Sequence, residues 1–355
     1  MTPDPAVPGW DVSVPPPAAP LTRGDEPRRG DEPRLTVVIT YYRGAKVIRD
    51  AVESVLAQTV RPGEILICDD GSPDDLPAAL GPLRSEVKIV RKENGGTGSA
   101  ANAAARAASG EYVVQLDQDD AFLPRRLEAI MAVLAARPDV DIVATDASIE
   151  MGGERITTLE AVNPYPQADQ RTTILERATF LWPAIRRSRL LAVGGYDESL
   201  RAMEDWDCFL RLLFDGAVVA YVHEPLYRWR LTPGSRSSDD RVANIESMIV
   251  LNEKALAGSL LDAAERAKAE HLLGWRRRWL VREQARHAVE RHTPDARRRS
   301  LELVIGRGQE RATRAKAGVA VLSPALAERF ITRRRERTDP TTEALGRRGF
   351  PPPPP

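Results

Sequence analysis

Several clusters of side chains in this 355-residue chain have types and spacings that could do chemistry. Asp117-Gln118-Asp119-Asp120 sets two carboxylates astride one residue, with a third beside them; Asp69-Asp70 precedes Gly71-Ser72; Glu204-Asp205 opens an amphipathic run containing Trp206, Phe209, Leu210, Leu212 and Leu213. Carboxylates gathered in one place repel unless something cationic neutralises them. Mg²⁺ or Mn²⁺ suits that role, because a hard divalent ion takes oxygen ligands, is commonly held by one or two carboxylates, and fills its shell with substrate phosphates and water. Asp117 and Asp119 can reach one small volume from an extended turn, which makes them the candidate metal ligands. For Asp120, followed by Pro124, the competing role is a cap on the next helix. For Glu204 and Asp205 it is an acidic pair favoured by the positive end of a helix.

The elements that must position these groups alternate in type. Leu35 to Thr40 is a short β-branched run that reads as a strand buried on both faces. A helix follows from about Ala45 to Gln58, with Val47, Ile48, Ala51, Val52, Val55 and Leu56 on one face. Strands are then predicted at Glu64 to Cys68, Val87 to Val90, Tyr112 to Leu116 and Asp141 to Thr145, and helices near Asp74 to Leu83, Ser99 to Ala108 and Pro124 to Arg137. This alternation calls for an α/β fold, a largely parallel sheet covered on both faces. Ligands of such sheets bind off the carboxyl ends of the strands. There lie Thr40-Tyr41-Tyr42, Asp69-Asp70, Asn94-Gly95-Gly96-Thr97-Gly98 and Asp117 to Asp120, so successive strand ends are expected to feed one crevice.

Composition narrows the class. Hydrophobic residues make up 42% and charged residues 29%, with 51 basic against 51 acidic, values ordinary for a globular protein and silent about partners. Charge is unevenly placed, however: His271 to Pro340 holds 18 Arg and Lys against 8 Asp and Glu. Cys68 and Cys208 lack metal-type spacing and read as core thiols. There is neither an apolar run long enough to span a bilayer nor a leader-like N-terminus, so a cytoplasmic protein is expected. Scarce Lys beside abundant Arg, Ala and Pro is the coding bias of a GC-rich bacterial genome. Residues 1–33, rich in Pro and carrying a near-repeat of Arg-Gly-Asp-Glu-Pro-Arg, are expected to be disordered. Residues 34–238 are expected to form the catalytic domain, 239–345 a helical C-terminal region, and 346–355 a Pro-rich tail.

Taken together, Val37 to Arg43, Glu53 to Thr59, Ile67 to Asp75, Leu116 to Asp120 with Pro124, Gly194-Gly195-Tyr196-Asp197-Glu198, Glu204-Asp205-Trp206-Asp207 and Pro225-Leu226-Tyr227-Arg228 resemble the GT-A glycosyltransferases of family 2. The resemblance covers about Leu35 to Ser238. It implies a GT-A fold (Rossmann-like, mostly parallel central sheet) with a helical C-terminal extension, and an inverting, metal-dependent transfer of a sugar from a nucleotide diphosphate donor to a sugar, natural-product or glycan acceptor. UDP-sugars are the favoured donors and dTDP-sugars the alternative. By the same resemblance Thr40 and Tyr42 line the nucleobase pocket, Asp70 accepts from the base with Asp69 supporting it, and Asn94 belongs to the donor-binding set. Asp117 is the ribose-side member of the DxD motif and Asp119 the metal ligand bridging to the pyrophosphate. Asp205 becomes the base that deprotonates the acceptor, with Glu204 as acceptor contact or backup.

Three departures accompany the resemblance. Ala101 stands where many relatives carry Arg, Thr232 where a metal-binding His is common, and Thr40 where Pro is common. The first two motivate an alternative, a catalytically weakened nucleotide-sugar-binding or partner subunit. A sugar nucleotidyltransferase is disfavoured because Thr40-Tyr41-Tyr42-Arg43-Gly44 lacks the Gly-rich loop of that class. His223, after a predicted strand Val218 to Val222, reads as a surface or acceptor-side residue. Arg276-Arg277-Arg278 between Trp275 and Trp279 reads as a solvated helical face with the Trp residues packed inward. Peripheral contact with an anionic membrane is its alternative, and nucleic acid is not expected.

Overall fold

The computed structural model describes residues 10, 11, 34–166, 168–200, 202–231, 241–305, 311–324 and 327. The expected tail at 346–355, Thr232, and all of segment 1–33 except Trp10 and Asp11 lie outside these residues. The chain divides into two compact units, one comprising Met1–Ile174 and Ala178–Thr232, the other Leu175–Arg177 and Pro233–Pro355.

The first unit is built on one sheet. Its strands are β1 (Trp10–Asp11), β2 (Leu35–Tyr41), β3 (Glu64–Asp69), β4 (Lys88–Arg91), β5 (Tyr112–Asp117), β6 (Ala121–Phe122), β7 (Ile142–Met151), β8 (Glu154–Thr158), β9 (Ala184–Arg186) and β10 (Val219–Leu231). They run in the order β1-β10-β7-β9-β5-β2-β3-β4, with β6 against β10 and β8 against β7. The pairs β2–β3, β2–β5, β3–β4 and β7–β10 are parallel, whereas β9 lies antiparallel between β5 and β7. Register places Thr40 beside both Cys68 and Asp117, and Tyr41 beside Asp69, so the polar residues after these strands emerge at one end of the sheet. Strand β10 runs on through His223 to Leu231, where the sequence suggested an end at Val222. Bulges near Pro225, which cannot donate to a ladder, let it bend and continue.

Helices cover the faces as the apolar periodicity requires. On α1 (Ile48–Leu56), residues Ile48, Ala51, Val52 and Val55 are buried. Helix α2 (Leu76–Leu80) is capped by the Asp75 side chain on Ala78 N–H. Helix α3 (Thr97–Ala107) follows Gly96, whose φ of +88° suits glycine, and buries the small residues Gly98, Ala100, Ala101, Ala104 and Ala105, so its backbone lies close to its neighbours. The remaining helices met in this unit are α4 (Arg126–Ala136), α5 (Leu159–Val162), α6 (Gln170–Glu176, whose last two residues belong to the second unit), α7 (Arg187–Ala192) and α8 (Glu204–Phe214). Asn102, buried on α3, ties that helix to the turn before α8. Its Nδ2 donates to the Tyr196 carbonyl at 2.8 Å and to Glu198 Oε1 at 2.9 Å, while its Oδ1 accepts from Tyr196 N–H at 2.8 Å. Gly195 is required beside it: its φ is +70° and an added Cβ would collide with Asn102 Oδ1.

The second unit contains α9 (Arg241–Ala257), α10 (Ala263–Glu290), α11 (Ala296–Ile305) and α12 (Arg311–Leu322). Asp262 and Glu265 form a reciprocal capping box that starts α10. The basic run on α10 is not a uniform solvated face. Arg276 is buried and donates to the Met248, Leu175 and Glu176 carbonyls and to Asn252 Oδ1. Desolvation lowers its pKa to about 10. Trp275 and Trp279 are only partly buried and pair with each other, centroids 5.1 Å apart. The guanidinium therefore packs inward where the indoles were expected to, because carbonyls and an amide oxygen replace its water. Among the described residues no helix is long and apolar enough to cross a membrane.

Asn102→Ala should lower stability by about 1–3 kcal/mol, since it leaves Tyr196 N–H buried without its partner. Urea unfolding measures this; an unchanged midpoint would show that the α3 bridge contributes nothing.

Candidate functional site

The turn after β5 is bound to β10. Asp120 is buried: its Oδ2 accepts from the Tyr227 hydroxyl at 2.9 Å and its Oδ1 from Arg230 N–H at 2.8 Å. Burial, with Asp117 and Asp119 nearby, raises its pKa well above the usual carboxylate range. Asp120 thus anchors the turn to β10 and does not cap α4, whose N-cap residue is Arg125. The Tyr227 oxygen also accepts from Asp117 N–H at 3.2 Å, so one phenol bridges two residues of the acidic turn.

Asp117 and Asp119 are partly exposed. Asp117 turns Oδ2 to the Trp182 indole N–H at 2.8 Å. The Asp119 carboxylate makes no hydrogen bond or ion pair with any described residue, and only its backbone oxygen is touched, by Arg230 at 3.5 Å. Among the described residues no group of three or more His, Cys, Asp or Glu is assembled as a cage. A site of two carboxylates completed by phosphate and water needs no cage, and the unpartnered oxygens of Asp119 beside Asp117 fit a hard divalent cation of that kind.

Between the acidic turns lies Gln118, whose amide clasps the backbone of Tyr42. Tyr42 N–H donates to Gln118 Oε1 at 2.9 Å and Gln118 Nε2 donates to Tyr42 O at 3.0 Å, as if the side chain were a short strand. A Cβ on Gly44 would collide with that amide. The Tyr42 ring is 40% exposed, with the Arg43 guanidinium 5.2 Å from its centroid. Beneath it Tyr41 is buried and donates to Asp74 Oδ2 at 2.8 Å. Burial opposes ionisation of Asp74, but hydrogen bonds from Ser72, Tyr41 and Ala45 N–H outweigh it and hold its pKa below the usual value.

Asp69 and Asp70 are both buried and both satisfied. Asp69 accepts from Ser72 N–H at 2.8 Å and from Arg91 at 2.9 Å. Asp70 takes Lys92 Nζ and Gly95 N–H on Oδ1, each at 2.9 Å, and Gly96 N–H on Oδ2 at 2.8 Å. Asn94 Nδ2 donates to the Asp70 carbonyl at 3.0 Å. Asp70 and Asn94 accordingly shape the glycine loop that leads into α3. Arg91, Lys92 and Asn94 line an open surface cleft with Gly71 and Glu93.

The acid pair sits at the start of α8. Met203 before it adopts a left-handed φ of +64°, a strained conformation for a side-chain-bearing residue that sharply sets the helix entry. Glu204 is buried against Gly98 of α3, whose absent Cβ would lie 3.5 Å from Glu204 Cβ. Asp205, partly exposed, accepts from Trp206 N–H at 2.7 Å. Desolvation, the adjacent Glu204 and the charge of Asp117 push its pKa up to about 7, which also places Asp117 and Asp205 within electrostatic reach of each other. His223, by contrast, is bound to Glu160 through Nδ1 at 2.6 Å, and Tyr221 sits edge-on to its ring.

Residues 36–191 match the family model "Glycosyl transferase family 2". This stretch belongs to that family. The chain is 28% identical over 213 residues to an uncharacterized glycosyltransferase of Rickettsia prowazekii, covering 56% of this chain and 64% of that protein. It is 27% identical over 196 residues to one of Haemophilus influenzae, covering 54% and 66%. The chain thus spans just under two thirds of these relatives' length. A chondroitin synthase of Pasteurella multocida is 32% identical over 185 residues, 51% of this chain and 19% of that one. In fold, the chain is similar to S. aureus TarS 1-349 in complex with UDP-GlcNAc, with TM-score 0.58 at 15% identity, covering 86% of this chain and 92% of that one. It is also similar to the mannosyltransferase PcManGT of Pyrobaculum calidifontis in complex with GDP-Man and Mn²⁺, with TM-score 0.55 at 18% identity, covering 90% and 88%. These neighbours establish the GT-A fold with its helical C-terminal region.

Within the family 2 domain the structure shows site-forming residues that the sequence pattern does not single out. Arg126 is fully buried, its guanidinium 4.8 Å from the Phe122 centroid and 5.0 Å from that of Tyr227, and it donates to Thr145 Oγ1 and to the Trp182 carbonyl. Gln118 and Trp182 are equally inconspicuous. A lone Trp beside Pro183 and an amide inside an acidic turn are the signals they give.

Asp120→Ala should cost about 1–3 kcal/mol more than Asp120→Asn, because it strips partners from the buried Tyr227 hydroxyl and Arg230 N–H. The raised pKa of Asp120 means its ionisation opposes folding, so the wild type loses stability as pH rises above the ordinary carboxylate range. Asp120→Asn, which cannot ionise, should show a shallower loss of stability toward neutral pH. Denaturation midpoints from pH 4 to 8 test both statements.

Proposed function

We propose that the chain transfers a sugar from a nucleotide diphosphate donor to an acceptor hydroxyl by single, inverting displacement, with Asp205 as base. The observation that carries this reading is Asp119, whose carboxylate has no partner among the described residues, beside Asp117, whose charge reaches a second carboxylate, Asp205, and helps raise its pKa. Tyr42 offers an aromatic face to the base, and the cleft with Arg91 and Lys92 beside Asp70 extends that side. UDP is the favoured nucleotide; the neighbours' own ligands, UDP-GlcNAc and GDP-Man, span the class. When bound at Asp117 and Asp119, Mn²⁺ or Mg²⁺ would offset charge on the departing diphosphate.

Asp205 accepts the acceptor's hydroxyl proton as that oxygen bonds to the anomeric carbon and the carbon–phosphate-oxygen bond breaks, so the nucleotide diphosphate leaves from the opposite face. A base with a pKa near 7 matches this role, since it is ionised in part at neutral pH yet basic enough to take the proton. Glu204, packed against α3, keeps that pKa high through like-charge repulsion.

Asp119→Ala should abolish transfer and remove the Mn²⁺ or Mg²⁺ dependence of nucleotide binding without unfolding the chain. Titration calorimetry of UDP with and without metal decides it; undiminished metal dependence would exclude Asp119 as a ligand.

Asp205→Asn should leave donor and metal binding near wild type and cut turnover by on the order of 10²–10⁴-fold. In the wild type, protonation below about 7 removes the base, so activity should rise with pH through that value and the variant's residual activity should lack the rise. An α-linked donor must give a β-linked product. Near-wild-type turnover in the variant, or retention seen in the product's anomeric coupling constant, would overturn the mechanism.

A further inference from the structure

We propose that Trp182 is a positioning residue for the donor site: its indole N–H orients the Asp117 carboxylate for the cation and diphosphate. The inference rests on the donor site proposed above and concerns how that site is held in shape.

Trp182 lies in the irregular segment before β9 and adopts a φ of +46°, in the left-handed region that β-carbon-bearing residues avoid. Such a conformation persists only where surrounding contacts over-determine it. Here three do so. The indole stacks on Tyr227, with centroids 4.3 Å apart and planes 7° from parallel, and meets Trp229 edge-on at 5.1 Å. Its carbonyl accepts from the guanidinium of Arg126, which is fully buried and has no carboxylate partner among the described residues. Its Nε1–H donates to Asp117 Oδ2 at 2.8 Å.

The last contact is the one that a mere core aromatic would not need. An indole N–H is a donor with no acceptor capacity, so it can bind a carboxylate oxygen and cannot itself become a competing ligand. The terminal torsion of Asp is broad and roughly two-fold, so a fixed donor on one oxygen lowers the cost of ordering the carboxylate when a ligand binds. The fixed N–H ties one oxygen of the carboxylate and sets its plane. Tyr227 reinforces the arrangement, since the phenol stacked under Trp182 also accepts from Asp117 N–H at 3.2 Å. Backbone and side chain of Asp117 are thereby held by two stacked rings.

Trp182→Phe removes the N–H while keeping the stack, whereas Trp182→Ala removes both. For the full-length wild type and each variant, Mn²⁺ affinity is measured by calorimetry in the presence of UDP, dTDP or GDP, with nucleotide affinity without metal and melting temperature alongside. The expected result for Trp182→Phe is a near-wild-type melting temperature, unchanged metal-free nucleotide binding, and Mn²⁺ affinity weakened about tenfold, the scale of one hydrogen bond to a charged group. Trp182→Ala should show the same loss together with a lower melting temperature. Wild-type Mn²⁺ affinity in Trp182→Phe would overturn the proposal. If the wild type itself couples Mn²⁺ to none of the three nucleotides, the donor-site reading fails and takes this inference with it, an outcome distinct from failure of Trp182→Phe alone.

Discussion

Like-charge crowding is the constraint around which this domain is arranged. Asp117, Asp119 and Asp120 crowd the turn after β5, and Asp205 feels the charges of Glu204 beside it and of Asp117. Each carboxylate meets a different remedy. Asp120 is drawn inside and given a phenol and an amide N–H. Asp117 receives an indole N–H, and Asp119 is left to solvent and to whatever cation arrives. Asp205 yields, its pKa displaced toward neutrality. On the neighbouring strand ends Asp69 and Asp70 avoid the problem because Arg91, Lys92 and glycine N–H groups satisfy them. Proximity of acids is thus made tolerable by committing most of them to structure, which leaves few for chemistry.

The parallel half of the sheet was legible in the sequence because strands buried on both faces are continuous apolar runs. Val37, Val38 and Ile39 or Ile65, Leu66 and Ile67 need no partner to be recognised. Helix α1 was legible for the same reason, through its buried stripe. What could not be read were the elements whose partners lie far away. Strand β9 has three residues and no alternation, and it exists only because β5 and β7 leave a slot for it. Arg126 occupies an amphipathic helix where an Arg ordinarily marks the wet face. Its burial depends on the faces of Phe122 and Tyr227, which no local pattern announces. Arg276 repeats the lesson in the helical unit.

For the site, the residue types were readable and their division of labour was not. The aspartates after β3 and β5 stand out as a set, yet nothing in their spacing says that Asp70 is filled by the glycine loop while the Asp119 carboxylate has no partner among the described residues. That distinction comes from which donors the fold delivers, and the donors are backbone N–H groups and aromatic rims. Small residues matter in the same hidden way. At Gly195, an added Cβ would collide with the Asn102 amide that ties α3 to the turn before α8.

The anchoring of Asp120 also sets an order of events in folding. Its two partners, Tyr227 and Arg230, lie 107 and 110 residues further along the chain. Contacts of such separation form late, because the entropy of closing the intervening loop must be overcome first. Until β10 docks, the acidic turn has neither its phenol nor its amide, and Asp120 has no reason to leave water. A nascent chain that already holds β2, β3 and β5 is therefore a sheet without a site, and the acidic turn takes its final shape only when the last strand of the domain closes over it.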